Sequence, residues 1–340
     1  MTHSPTTGVL LANLGTPLSC TPTDVRHYLT EFLTDSRVID LPYFWRQLLV
    51  RGWIVPRRYR TSAKLYQQIW TSEGSPLLVH GKNVKKHLQD RLGPTFLVAL
   101  GMRYQFPSLQ EALQQLSSCQ QLVILPLFPQ YASSTTGSLL QRTMELLQAK
   151  EVIPTTKWIQ SYPTQPHMIA AFAARITPLL SKGERLLFSF HGLPEQQLQK
   201  SCPCFRSDGI CCVSTPSSSC YRAHCIQTAT AIADTMGLPS HFYEIAFQSR
   251  LGRATWLQPY TSDRIEILAK QGIRNLIISC PSFVSDCLET TSEIGGEYAH
   301  LFQKNGGESL LLVESLNDHP LWIEALAQLV LGKKDGEKPI

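Results

Sequence analysis

Gly8-Val-Leu-Leu-Ala-Asn-Leu-Gly-Thr-Pro17 returns in the second half of the chain, loosely, as Arg185-Leu-Leu-Phe-Ser-Phe-His-Gly-Leu-Pro194. Each is a short apolar run that stops at a Gly turn followed by a Pro. A run apolar on both faces suits a strand covered on both sides, the condition of a parallel sheet. Working outward, similar runs occur at Phe96–Leu100, Leu122–Leu127, Phe242–Phe247, Leu276–Cys280 and Leu310–Val313. Leu122–Pro129 is echoed by Leu276–Phe283 in the same loose way. Between the runs, Val84–Leu92, Leu109–Leu116, Met168–Leu180 and Ile226–Met236 have helical spacing. Strand alternating with helix predicts an α/β fold with parallel, doubly wound sheets. The internal echo predicts two similar lobes with the active site in the cleft between them. The expected division is 1–165 for the N-terminal lobe and 166–332 for the C-terminal lobe. The first includes a segment, 41–70, and the second a cysteine-rich insertion, 200–220. The final helix, 319–332, is expected to pack back on the first lobe, and 333–340 is a polar tail.

The 340 residues include 43% hydrophobic ones, enough for two cores. The 31 basic and 26 acidic residues leave a net charge of +5. That is too mild for a nucleic-acid binder without a concentrated patch, and no DNA- or RNA-reading motif is present. No apolar run approaches the ~20 residues of a membrane span. Met1–Thr7 lacks the basic region of a secretory signal, so a cytoplasmic location is expected. Thiols stay reduced there, so the ten cysteines are not a disulfide framework.

Four features could carry chemistry. His191 ends an apolar run just before a Gly turn, where ligands of open α/β sheets gather. It can ligate a metal or take a proton near neutral pH, or merely cap the turn. Following Leu276–Cys280, Ser285 or Asp286 can cap a helix on which Glu289, Glu293 and Glu297 recur every four residues. No Lys or Arg interrupts this face, which suits a carboxylate row that attracts a divalent cation and passes protons. A solvated acidic face has the same pattern. Between Leu41 and Trp70, aromatic and aliphatic residues interleave with Arg46, Arg51, Arg57, Arg58, Arg60 and Lys64, with no acid. That composition suits a surface resting on an anionic membrane, or one gripping a large apolar anion. Finally, Cys202, Cys204, Cys211, Cys212, Cys220 and Cys225 crowd into one short segment. Four thiolates hold zinc or a [2Fe–2S] cluster, and spacing does not choose between them. Cys20, Cys119 and Cys280 read as buried apolar residues.

Together these segments resemble the ferrochelatase family, from about Gly8 to about Val330. The matching pieces are Asn13–Pro17, Phe32–Arg37, Gly74–Leu77, Met102–Tyr104, Phe128–Tyr131 with Ser134–Gly137, Ser189–Pro194, Gln248-Ser249 with Trp256-Leu257, Ser285-Asp286 with Leu288–Thr290, and Glu314–Asn317. Nine pieces in order are far more specific than any one. The resemblance implies two Rossmann-like lobes of the chelatase type clasping a porphyrin. It implies His191 and Glu289 as catalytic residues and ligands of the substrate Fe2+, with Glu293 and Glu297 behind them. It places Leu14, Arg37, Ser75, Arg103, Tyr131, Trp256 and Phe283 at substrate-binding positions. Arg37 pairs naturally with a propionate, because guanidinium matches carboxylate bidentately. Segment 41–70 becomes the lip of the porphyrin pocket.

Cys287 stands where many relatives carry His. Ala132 and the lack of any cysteine after Cys287 rule out the C-terminal cluster of some relatives. The chain is instead similar to a bacterial subgroup with an internal [2Fe–2S] segment. Cys202, Cys204, Cys220 and one of the adjacent Cys211 and Cys212 are the expected ligands, with Cys225 last in rank. Leu14, where coproporphyrin-using relatives tend to have Tyr, favours protoporphyrin IX as substrate. The expected product is haem with release of two protons. A coproporphyrin enzyme, a cobalt or nickel chelatase and a non-enzymatic haem or iron sensor are the alternatives. Peripheral membrane contact, and a monomer or homodimer, complete the expectations.

Overall fold

The computed structural model describes residues 5–183, 185–207, 219–252 and 254–332. The chain divides into two compact units. The first runs to Phe128, resumes for Ser133–Ser161 and takes the chain from Ile323 onward; the second holds Pro129–Ala132 and Tyr162–Trp322.

The first unit is built on a parallel sheet of β1 (Thr7–Asn13), β2 (Phe96–Met102), β3 (Gln121–Pro126) and β4 (Thr155–Trp158), in the order β2-β1-β3-β4. The second repeats it with β5 (Arg185–His191), β6 (Tyr243–Gln248), β7 (Asn275–Ser279) and β8 (Ser309–Leu312), in the order β6-β5-β7-β8. The echo read in the sequence is therefore one topology used twice: β1 and β5 are the matching second strands of their sheets. Both are buried almost throughout, as the unbroken apolar runs require. Leu10, Ala99, Leu122, Ile124 and Leu139 form part of the first core; Leu187, Ala246, Ile265, Ile278 and Phe302 form part of the second.

The glycine shared by the echo has the same physical reason in both halves. A Cβ on Gly15, at φ +114°, would lie 2.0 Å from the Tyr104 carbonyl oxygen. One on Gly192 would lie 2.8 Å from the Gln248 carbonyl oxygen. In each case the turn after the strand passes against a neighbouring main chain, so only glycine fits.

The helices are α1 (Pro22–Leu33), α2 (Tyr43–Leu49), α3 (Val55–Ile69), α4 (Pro76–Leu92), α5 (Leu109–Gln115), α6 (Ser138–Gln148), α7 (Pro166–Ile176), α8 (Glu195–Ser201), α9 (Tyr221–Thr235), α10 (Thr261–Lys270), α11 (Ala299–Lys304) and α12 (Pro320–Leu331). Ser108 and Glu111 start α5 with a reciprocal capping box.

Four expectations need correction. The edge strand β4 went unread, because Thr-Thr-Lys-Trp is short and only half buried. The helix expected to reach Leu180 ends at Ile176 and continues as a 3-10 turn, since Pro178 has no N–H to donate. Lys200 and Ser201 belong to α8, not to a loop. The acidic segment Glu289–Tyr298 is π-helical, with i→i+5 hydrogen bonds, and has no side-chain cap. Ser285 Oγ is buried without a partner, and the Asp286 carboxylate is used by Ser315 N–H (3.1 Å) and Asn317 Nδ2 (2.8 Å).

Candidate active site

His191 is the last residue of β5. Its N–H donates to Ser282 Oγ (3.0 Å), and its carbonyl accepts from Tyr221 Oη (2.7 Å). Its ring Nδ1 lies 2.6 Å from the Gly192 carbonyl oxygen. A carbonyl only accepts, so Nδ1 carries the hydrogen and the neutral ring keeps its lone pair on Nε2. Trp256 and Phe283 flank the imidazole, with ring centroids 6.5 and 6.1 Å away. Nε2 is thus the atom available to a metal or a proton.

Gln248, at the end of β6, joins this turn to the acidic segment. Its carbonyl accepts from Gly192 N–H (2.8 Å), its Nε2 donates to the Glu289 carbonyl (3.1 Å), and its Oε1 accepts from Ser189 Oγ (2.7 Å). Ser249 follows at φ +64°, a region non-glycine residues seldom occupy. From there its N–H (2.9 Å) and Oγ (2.6 Å) both reach the Glu293 carboxylate, and Tyr298 Oη adds a third donor at 3.0 Å. The strained residue aims two donors at one acid. The acids are therefore not equivalent. Glu289 is half-buried beside Cys287, Glu293 is held by three hydrogen bonds, and Glu297 is exposed. Burial, and then the Glu289 charge, push the Cys287 thiol well above its ordinary range. It stays protonated at neutral pH and does not replace an imidazole as a proton carrier.

Tyr131 belongs to this second unit, and its N–H donates to His224 Nδ1 (3.2 Å). Leu14, Arg37, Ser75 and Arg103 belong to the first unit. Leu14 is half-buried at the turn after β1, with its carbonyl taken by Tyr104 N–H (2.8 Å). Ser75 is 3% exposed and accepts from Thr16 Oγ1 (2.8 Å). Arg37 is steadied by Gln141 Oε1 (2.7 Å) and Ser133 Oγ (2.8 Å), both neutral acceptors, and among the described residues no acid pairs with its charge. Arg103 is different: its charge is answered by Asp35 at 2.7 Å.

Asp35 itself was not singled out in the sequence, although it lies inside a quoted motif. Its Oδ2 also accepts from Tyr104 Oη (2.9 Å) and Ser138 Oγ (2.5 Å), and its Oδ1 from Arg37 N–H (2.7 Å). Burial acts to raise its pKa, but the Ser138 hydroxyl, the Arg37 N–H, the Arg103 charge and the Tyr104 hydroxyl outweigh it and hold the carboxyl below its usual value. Gln248, Ser249, Tyr298, Tyr221 and His224 were likewise missed as site residues. Their roles depend on backbone placement that no spacing in the sequence announces.

In the segment 41–70, Tyr43, Phe44, Trp45, Leu48 and Trp53 are all more than half exposed. Arg57 stacks on Trp53, 3.3 Å from guanidinium to ring centroid. Arg46 departs from the expected basic face: it is buried and donates to the carbonyls of Thr34 and Leu41. Beside this surface a cavity of about 850 Å³ is lined by Arg26, His27, Glu31, Arg51, Tyr59 and Arg60, among others. Among the described residues, no helix is long and apolar enough to cross a membrane.

Cys211 and Cys212 lie outside the described residues. Cys202 and Cys204 have their sulfurs 3.3 Å apart, and Cys202 shares a buried cluster with Cys220 and Ala223. Burial raises the Cys202 thiol, the Cys204 hydrogen bond opposes this, and the neighbouring Cys220 adds to it. Among the described residues, no group of three or more His, Cys, Asp or Glu side chains is arranged to hold a metal ion.

A family model described as Ferrochelatase matches residues 6–334. Among curated proteins, the ferrochelatase of Legionella pneumophila (strain Philadelphia 1) is 45% identical over 324 residues, covering 95% of this chain and 98% of that protein. The ferrochelatase of Coxiella burnetii (strain Dugway 5J108-111) is 44% identical over 330 residues, covering 95% and 92%. Among solved structures, SirB from Bacillus subtilis with Fe3+ superposes with a TM-score of 0.53 at 12% identity, covering 96% of this chain and 94% of that one, a likeness of fold.

Proposed function

This chain belongs to the ferrochelatase family and carries its activity, insertion of ferrous iron into a porphyrin in haem synthesis; on that premise we propose that the porphyrin is protoporphyrin IX and that His191 and Glu289 act at its centre. The observation that carries the assignment of residues is the His191 ring, whose Nδ1 is committed to the Gly192 carbonyl and whose Nε2 is left with its lone pair. Insertion of Fe2+ displaces two pyrrole protons. Nε2 of a neutral imidazole accepts one or ligates the incoming ion. Glu289, tied through Gln248 to the same turn, supplies a carboxylate on the neighbouring segment. Glu293 and then Glu297 continue toward solvent as a graded path for protons. Trp256 and Phe283 provide apolar faces for a macrocycle. Arg37, which pairs with no acid among the described residues, is the propionate partner; Arg103 is paired to Asp35 instead. Leu14 supports protoporphyrin over coproporphyrin.

The test is anaerobic incubation with Fe2+ and protoporphyrin IX, following the visible spectrum, with coproporphyrin III, Co2+ and Ni2+ as alternatives. Wild type forms protohaem. His191→Ala loses activity by about 10³-fold or more, Glu289→Gln loses nearly as much, and Glu297→Gln loses less than tenfold. A well-folded His191→Ala protein with near wild-type turnover removes the assignment. Equal losses for the two glutamate variants remove the graded path.

The cysteine segment supports a resident [2Fe–2S] cluster on its donor chemistry. Cys202 and Cys204, whose sulfurs lie 3.3 Å apart, would be two of the ligands. Cys220, from the same buried cluster, would be a third ligand, and Cys211 or Cys212, which lie outside the described residues, the fourth. A cluster held there would cross-link the ends of α8 and α9. The exposed aromatic residues beside a basic cavity support peripheral contact with an anionic membrane from the cytoplasmic side.

A further inference from the structure

Helix α9 begins at the cysteine segment, with Cys220 as its N-cap residue. Its buried face carries Tyr221, His224 and Thr228, at the i, i+3, i+7 spacing of one helical stripe. Apolar residues would serve packing there, since a buried polar group is unfavourable unless bonded. Each of the three has a partner, and each partner lies in or beside the candidate site. Tyr221, 5% exposed, donates Oη to the carbonyl of His191 at 2.7 Å. His224, 4% exposed, accepts at Nδ1 from Tyr131 N–H at 3.2 Å. Thr228 Oγ1 accepts from Gln130 Nε2 at 3.0 Å, which secures the residue before Tyr131. The His224 N–H in turn donates to the Cys220 carbonyl at 3.0 Å. One turn of helix therefore joins three things: a cysteine of the thiol group, the main chain of His191 and the main chain of Tyr131.

We propose that Tyr221 and His224 are positioning residues, through which the state of the Cys202–Cys204–Cys220 thiols is transmitted to His191 and to the porphyrin-binding Tyr131. The proposal rests on the assignment of His191 to iron insertion and Tyr131 to porphyrin binding. The two act on different atoms, so they separate kinetically. Tyr221 holds the peptide whose ring must present Nε2, with Ser282 on the other side of the same residue. Losing it misorients the reacting group and lowers kcat. His224 holds a binding residue, and losing it weakens porphyrin binding.

The experiment measures kcat and porphyrin KM in the full-length enzyme, together with fluorescence titration of metal-free protoporphyrin IX without added iron. Tyr221→Phe is expected to lower kcat ten- to a hundredfold with KM unchanged, because a misplaced reacting group costs on that scale. His224→Leu is expected to raise the porphyrin dissociation constant about tenfold with kcat within twofold. His224→Asn, which keeps an acceptor at the δ position, restores binding. Cys220→Ser is expected to shift the dissociation constant in the same direction, and less than multiplicatively when combined with His224→Leu. Equal changes in kcat and KM that track a lower Tm, no rescue by Asn, or fully multiplicative effects with Cys220→Ser overturn the proposal. If Tyr221→Phe matches wild type while His191→Ala is inactive, the proposal falls and the catalytic assignment stands.

Discussion

Asp35 shows how one buried acid can serve two cations by different routes. It pairs directly with Arg103 and, through its other oxygen, holds the Arg37 main chain. Because its folded pKa lies below the unfolded value, its contribution to stability is present above about pH 3.9, the ordinary Asp value. It is lost as pH falls through the depressed value. Asp35→Asn should therefore cost about 2–3 kcal/mol near pH 7, the scale of hydrogen bonds to a charged group. The difference from wild type should shrink in urea titrations below pH 4. A gap that stays constant down to pH 2 would show that the carboxylate charge is not what stabilises this wall. At the same scale, the motif Phe32–Arg37 was visible in the sequence, but its acid was passed over because a lone Asp beside an Arg has no signature of burial.

At the level of elements, the segment from α2 to α3 buries Val50, Val55, Ala63, Tyr66 and Ile69 but keeps Tyr43, Phe44, Trp45, Leu48 and Trp53 outward, where a water-facing helix would hide them. The π-helical turn Val50–Ile54 between the two helices accompanies this, with Trp53 on the exposed side and Val50 on the buried one. Vesicle sedimentation should show binding to liposomes rich in anionic lipid and little binding to neutral ones, with loss above roughly 0.5 M salt, where the Debye length falls below ~5 Å. Replacing Trp45 and Trp53 by Ser should weaken binding without changing its salt dependence; replacing Arg51 and Arg60 by Gln should reduce the salt dependence. Equal binding to neutral and anionic vesicles would remove the electrostatic part of this reading. The composition of the segment was legible from its run of aromatic and basic residues, but not that Arg46 turns inward. A charged side chain reads as surface until the tertiary structure offers it carbonyls to cap.

Taken as a whole, the molecule uses one sheet topology twice. Of the proposed site residues, His191 and the three glutamates belong to the second unit, and Arg37, Arg103 and Ser75 to the first. In the chain the cysteine segment falls between α8 and α9 of the second unit, after the strand that ends in His191. Protein purified anaerobically should be reddish and carry about two non-haem irons and two acid-labile sulfides per chain. Colourless protein with one zinc, or with no metal, would show that these thiols do not hold a [2Fe–2S] cluster and would leave the chelatase activity untouched.

The alternation of strand with helix and the repetition of the lobe follow from the sequence by itself, because apolar period and turn chemistry are local and survive in one dimension; the short edge strand β4 did not. What only the tertiary structure decided is how the acids differ. Equal spacing made Glu289, Glu293 and Glu297 look alike; the π-helical turn, the left-handed Ser249 and Tyr298 separate them. The Nδ1–H tautomer of His191, and the hold of Tyr221 and His224 on the site, were equally invisible beforehand. A hydrogen bond to a main-chain atom thirty or ninety residues away depends on where the backbone lies, and that is known only once the sheets have formed.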